Sequence, residues 1–264
     1  MEKRFVEDEN GRVWYWITDN AKDDTIFFMH GLTANHTMFE KQIEYFKDKY
    51  NVIAWDAPLH GESRPYAHFS FENASKAIKQ ILDDNGITKA IFAGQSLGGY
   101  FTQSFYIRYP EMVKTFISID STPYGDYYSK SDIFWIKQVE WMAKLFPGKT
   151  LIDSMAKVNA LTQEGQDNMR SMVSIYEKNE LCRLMQIGYA GFLEDNREIN
   201  MTCPILMLVG TKDKTGKVRA YNEAWSKKLS QDIVWIPDAA HNSNVDNPTA
   251  VNEAITRFIK GLSD

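Results

Sequence analysis

The chain has 264 residues, 44% hydrophobic, 25% charged and 13% aromatic, and its 30 basic side chains stand against 35 acidic ones for a formal charge of -5. That composition excludes wholesale disorder, and the length is enough to bury a core without disulfides or metal, as one large α/β domain or two smaller ones. A mildly acidic chain without a Lys/Arg block argues against nucleic-acid binding, which needs a basic face to displace phosphate counterions. Cys182 and Cys203 show no CxxC spacing, so neither a disulfide framework nor a zinc site is expected. The N-terminal MEKRFVEDENGR holds no apolar run, and no stretch reaches the ~18 apolar residues of a membrane span. The expectation is a soluble, cytoplasmic chain with free thiols.

In chain order, the alternation over 12–18 and the Asn10-Gly11 pair before it predict an antiparallel hairpin whose first strand covers 3–7. Continuous apolar runs at 25–29, 51–55, 90–93, 115–119, 205–209 and 233–236 have the pattern of strands buried on both faces. Helical periodicity falls between them, at 38–49, 73–84, 97–109, 218–229 and 249–259. Regular alternation of strand and helix predicts one doubly wound, parallel α/β sheet. The stretch 121–203, about 80 residues, breaks this rhythm and is too long for a connecting loop. Apolar positions recur within it at helical spacing, as at Phe134, Trp135, Val139 and Met142, which predicts a helical insertion. Residues 1–120 and 204–264 are then the core.

The chemistry begins at Gly94-Gln95-Ser96-Leu97-Gly98-Gly99, which follows the 90–93 run and opens the next helix. A serine on so sharp a strand-to-helix turn is held in strained backbone geometry that exposes its hydroxyl, and side chains at Gly94 or Gly98 would obstruct the turn. The Leu97 amide, at a helix N-terminus, points towards where a substrate oxyanion would form. An ordinary tight turn of small residues is the alternative; the placement between strand and helix favours a nucleophile. A serine hydroxyl is weak without a base, and the base needs an orienting carboxylate. Of the five histidines, only His241 follows the last strand. The order Ser, acid, His points to Asp213, in a short loop after the seventh strand. Asp120, after the sixth, is the rival acid, and ranks second because it leads into the insertion. A second oxyanion donor comes from the loop after the third strand, where Gly31 lets the backbone approach a substrate and the Leu32 amide points inward. His30 supports that loop in this reading; a base is its alternative role.

Taken together, His30-Gly31, Asp56-Ala57-Pro58-Leu59-His60-Gly61-Glu62-Ser63, the turn at Ser96, Gly210 to Asp213 and His241 make the chain resemble an α/β-hydrolase-fold serine hydrolase, of the carboxylesterase and lipase kind, over nearly its whole length. The resemblance implies an eight-stranded, mostly parallel sheet with a helical cap at 121–203, inserted after the sixth strand. It also implies a Ser96, Asp213, His241 triad with Leu32 and Leu97 as oxyanion-hole amides. Leu59 and Ala240 stand where the family usually has glycine, which bears on loop shape more than on chemistry. The serine excludes the haloalkane dehalogenase and epoxide hydrolase branches, which use aspartate at that turn. The expected activity is hydrolysis of a small to medium, largely uncharged ester or lactone through an acyl-enzyme. Carbon–carbon, amide or peroxide chemistry on the same triad, and a non-catalytic ligand sensor of this fold, stay open. Trp135, Met142, Met172 and Met185 are the candidate pocket residues, drawn from the insertion's many Met and aromatic side chains. The absence of Walker A, dinucleotide and HExxH patterns leaves no cofactor or metal expected.

Overall fold

The computed structural model describes residues 1–18 and 20–262. Among these, eight strands form one sheet: β1 (Glu2–Asp8), β2 (Gly11–Ile17), β3 (Thr25–Met29), β4 (Asn51–Trp55), β5 (Ala90–Gln95), β6 (Val113–Ile119), β7 (Ile205–Gly210) and β8 (Ile233–Ile236). Their order is β1-β2-β4-β3-β5-β6-β7-β8. β2 runs antiparallel to both β1 and β4, and every pair from β4 onward is parallel. The apolar runs are continuous because both faces are covered: Ile26 and Phe28 of β3 point into one core, Phe27 and Met29 into the other.

The first core holds α1 (Glu40–Phe46) and α12 (Pro248–Gly261), and the second holds α2 (Phe71–Asp84) and α3 (Leu97–Arg108). α10 (Val218–Leu229) packs Trp225 on β6 and β7 through Phe116 and Met207. Helix starts differ from the periodicity where polar caps intervene. Asn35 accepts from the Thr37 amide, so the expected helix at 38–49 opens instead as a 3-10 turn, His36–Phe39. Ser70 accepts from the Asn73 amide and starts α2 at Phe71.

Between β6 and β7 lie six helices: α4 (Lys130–Ile136), α5 (Val139–Lys144), α6 (Gly148–Asn159), α7 (Gln163–Val173), α8 (Lys178–Ala190) and α9 (Phe192–Asp195). The apolar faces of α6, α7 and α8 merge with the first core through Leu151, Ala156, Met169, Met172, Leu181 and Leu184, while Phe192 of α9 enters the second. The short α11 (Ser243–Asp246) precedes α12. No helix among the described residues is long and apolar enough to cross a membrane.

The two positions where glycine is replaced behave differently. Leu59 adopts φ +70, a left-handed conformation that L side chains pay for sterically, whereas Ala240 is not among the residues with positive φ. Leu59 recovers part of that cost by packing its half-buried side chain against both cores. Leu59→Ala loses the packing and keeps the strain; Leu59→Gly loses the packing and relieves it. The glycine variant is therefore expected to be about 1 kcal/mol more stable than the alanine variant in urea unfolding, against the usual penalty for glycine.

Candidate active site

Because β5, β6, β7 and β8 are consecutive and parallel, the residues that follow them converge at one edge of the sheet. Ser96 follows β5, Asp120 follows β6, Asp213 lies just past β7, and His241 lies beyond β8.

Ser96 sits at φ +49, ψ -112, between β5 and the first turn of α3. Its amide donates to Ile119 O at 2.9 Å, and its carbonyl accepts from Ser121 Oγ at 2.7 Å. The backbone strain, of order 1–3 kcal/mol, is held by this packing. A Cβ on Gly98 would fall 2.0 Å from Met29 O, and one on Gly94 would fall 2.4 Å from the Gly98 carbonyl, so strand and helix could not approach. At Gly31 a Cβ would lie 2.0 Å from Gln95 Oε1, the end of a side chain and not backbone.

His241 Nδ1 lies 2.8 Å from Asp213 Oδ2, and its Nε2 lies 2.8 Å from Ser96 Oγ. With Nδ1–H donating to the carboxylate, Nε2 is the acceptor for the serine hydroxyl. The other Asp213 oxygen accepts from the Thr215 amide at 2.7 Å. Burial alone would raise the Asp213 carboxyl, but the His241 charge and hydrogen bond, together with the Thr215 amide, hold it below the ordinary range. Burial opposes the His241 imidazolium, yet Asp213, with Asp120 adding its charge, raises its pKa above the ordinary 6.5.

Asp120 is fully buried at φ +47. Its oxygens accept from the Gly210 amide at 2.7 Å and the Ser243 amide at 3.0 Å, so it bonds to backbone on both sides of the triple and not to the imidazole ring. Burial, then the charge of Asp213, pushes its carboxyl well above the ordinary range. His30 is also buried. Ala57 N donates to its Nε2 at 3.0 Å and its Nδ1 lies 2.7 Å from Gly31 O, which joins the loops after β3 and β4. Burial lowers its pKa to about 4, so the ring is neutral. The amides of Leu32 and Leu97 have no acceptor among the described residues, and both residues line the cavity over Ser96.

That cavity has a volume of about 420 Å³, within the range that holds a small ligand. Ser96, His241 and Asp120 lie at its base; Tyr100, Tyr128, Tyr189, Tyr221, Phe192 and Trp135 form much of its wall. Its two oppositely charged side chains, Asp132 and Lys217, meet at 2.7 Å. Of the four pocket candidates only Trp135 lines this space. Met172 is buried in the core, Met185 packs against that same core, and Met142 is half-buried on α5. The methionines fill gaps between helices, as flexible thioethers do, while the tyrosines that take the wall lie partly outside the insertion, on α3 and α10. Nothing in periodicity marks Tyr100 or Tyr221 as wall residues. Gln95 was also missed: its Nε2 donates to His241 O at 2.7 Å, and its place inside the serine motif was the available signal. Among the described residues no group of His, Cys, Asp or Glu is arranged to hold a metal ion.

Residues 24–248 match the alpha/beta hydrolase fold family, and the chain belongs to it; it is a hydrolase of that fold. Among its relatives, 3-oxoadipate enol-lactonase 1 of Acinetobacter baylyi is 34% identical over 250 residues, covering 90% of this chain and 89% of that protein. The 2-(acetamidomethylene)succinate hydrolase of Mesorhizobium japonicum is 24% identical over 262 residues, covering 94% and 92%. The solved structure of a thermophilic esterase from Thermogutta terrifontis superposes with a TM-score of 0.81 at 20% identity, over 99% of both chains.

The contact at Gly98 is with backbone and cannot be relieved by a rotamer change. Gly98→Ala is expected to cost about 3 kcal/mol or more, seen as a lowered urea midpoint or as insoluble protein.

Proposed function

We propose that the chain is a serine hydrolase of a small to medium, largely uncharged carboxylic ester or lactone, with 1–120 and 204–264 as its catalytic core and 121–203 as a cap. The observation that carries this reading is the pair of 2.8 Å contacts from one imidazole to Ser96 Oγ and Asp213 Oδ2, at the base of an aromatic cavity. Ser96 Oγ attacks the carbonyl carbon while its proton passes to His241 Nε2. The carbonyl oxygen takes the negative charge beside the Leu32 and Leu97 amides. His241 returns the proton to the leaving oxygen, which departs as alcohol or, from a lactone, stays joined to the acyl group. Water, deprotonated by the same imidazole, then releases the acid from Ser96. Asp213 orients the ring and stabilises its charged form, as the carboxylate of such a triad does.

The pairing of Asp132 with Lys217 leaves the wall without an unpaired charge, which supports an uncharged substrate. A lactone is supported by the enol-lactonase among the relatives. The wild type is expected to be labelled by a fluorophosphonate probe, with labelling abolished in Ser96→Ala; a folded, unlabelled wild type overturns the proposal. On p-nitrophenyl esters from acetate to octanoate, Asp213→Asn is expected to lower kcat by about 10⁴-fold. Asp120→Asn should lower it far less, and the reverse ranking reassigns the acid.

The pH dependence has a definite sign. Protonated His241 cannot accept from serine, so kcat/KM is low in acid and rises as the ring loses its proton. Because Asp213 and Asp120 raise that pKa, the inflection is expected above 6.5. A profile flat from about pH 5 to 8 removes His241 from the role of base.

A further inference from the structure

We propose that α4 and α5 form a docking face for an anionic lipid surface, beside the mouth of the active-site cavity. Phe134, Trp135, Trp141, Leu145 and Phe146 are about half exposed or more, and the four most exposed large apolar side chains among the described residues, Leu145 at 66%, Trp141 at 60%, Phe134 and Trp135, all belong to this one segment. Phe134 and Trp141 are seven residues apart, as are Lys130, Lys137 and Lys144, and helical backbone at Lys137 and Gln138 carries α4 nearly into α5. The spacing therefore lays an apolar stripe beside a lysine stripe on one side of the segment. The Lys178 ammonium donates to Lys144 O and adds positive charge at the far end of α5.

The two acidic groups on these helices are already engaged, Asp132 with Lys217 and Glu140 with Lys144. With Lys144 paired to Glu140, Lys130 and Lys137 carry the excess positive charge of the face in a chain of charge -5. Aromatic tips flanked by lysines on flexible stems suit the boundary between acyl chains and anionic headgroups. Helices of seven and six residues cannot span a bilayer, but they can lie in its surface. A second copy of the chain fits less well, because its own α4 and α5 offer these lysines no free carboxylate. Trp135 belongs to both the exposed face and the cavity wall, so a docked molecule would open its cavity towards the lipid. The docking does not rest on the proposed chemistry and is read without turnover.

The test is co-sedimentation of the full chain with phosphatidylcholine vesicles, alone or with about one third phosphatidylglycerol. The wild type is expected to pellet with the anionic vesicles only and to be released by about 0.5 M salt. Phe134→Ser/Trp141→Ser/Leu145→Ser and Lys130→Glu/Lys137→Glu should each lower the vesicle partition coefficient about tenfold or more. Both should leave the circular dichroism spectrum and turnover of a soluble ester unchanged. Wild type that stays in the supernatant with anionic vesicles overturns the proposal, as does undiminished binding by a folded charge-reversed pair. A wild-type dimer in light scattering that the apolar triple variant dissolves also overturns it, and assigns the face to a second copy.

Discussion

The arrangement depends on holding His241 against two partners at once, although it rides on a loop and not on a helix or strand. Four hydrogen bonds from surrounding elements fasten that loop. Gln95 donates to the carbonyl of His241, Asp246 accepts from Ala240 N at 2.9 Å, Asn159 O accepts from Asn242 N at 2.7 Å, and Asp120 accepts from Ser243 N. Two of the four involve a carboxylate, the stronger kind, and each lies close enough to the ring that its loss would tilt it. On the proposed mechanism a displacement of ~1 Å at such a site costs about a hundredfold in rate, so these groups would act on the chemistry without touching a reacting atom.

The two aspartates show how similar sequence contexts diverge in space. Each lies just past a strand, and each is buried. Asp213 gives one oxygen to the imidazole and the other to the Thr215 amide; Asp120 gives both to backbone amides of neighbouring loops. Two carboxylates this near repel, and the cost falls mainly on Asp120, which holds no cation of its own. Asp120 therefore stabilises the loops mechanically and biases the ring electrostatically.

Most of the fold was legible because both sheet faces are covered, so uninterrupted apolar runs such as 25–29 and 205–209 have few other readings. The helical character of 121–203 and the convergence of Ser96, Asp213 and His241 were legible from spacing and chain order. The cavity wall was not. Amphipathic periodicity tells which side of a helix is buried, not whether it meets protein or empty space, so Met172 on α7 and Tyr221 on α10 look alike in a window of sequence. The outward face of α4 and α5 was illegible for the same reason: Phe134 and Trp141 have the spacing of core residues and lie at the surface.

The Asn159 to Asn242 bond and the three groups that Asp246 holds, Ala240, Leu161 and Thr162, mean that the cover over the cavity is bolted on one side. Lifting α6 would break the Asn159 bond, one of the four that fasten the His241 loop, and would pull on Asp246, which holds Ala240 as well, so that half cannot act as a door without disturbing the imidazole. α4 and α5 carry no such bond to the histidine loop among the described residues. On the proposed reading, α4 and α5 are then the side of the cover that can shift while the imidazole keeps its place.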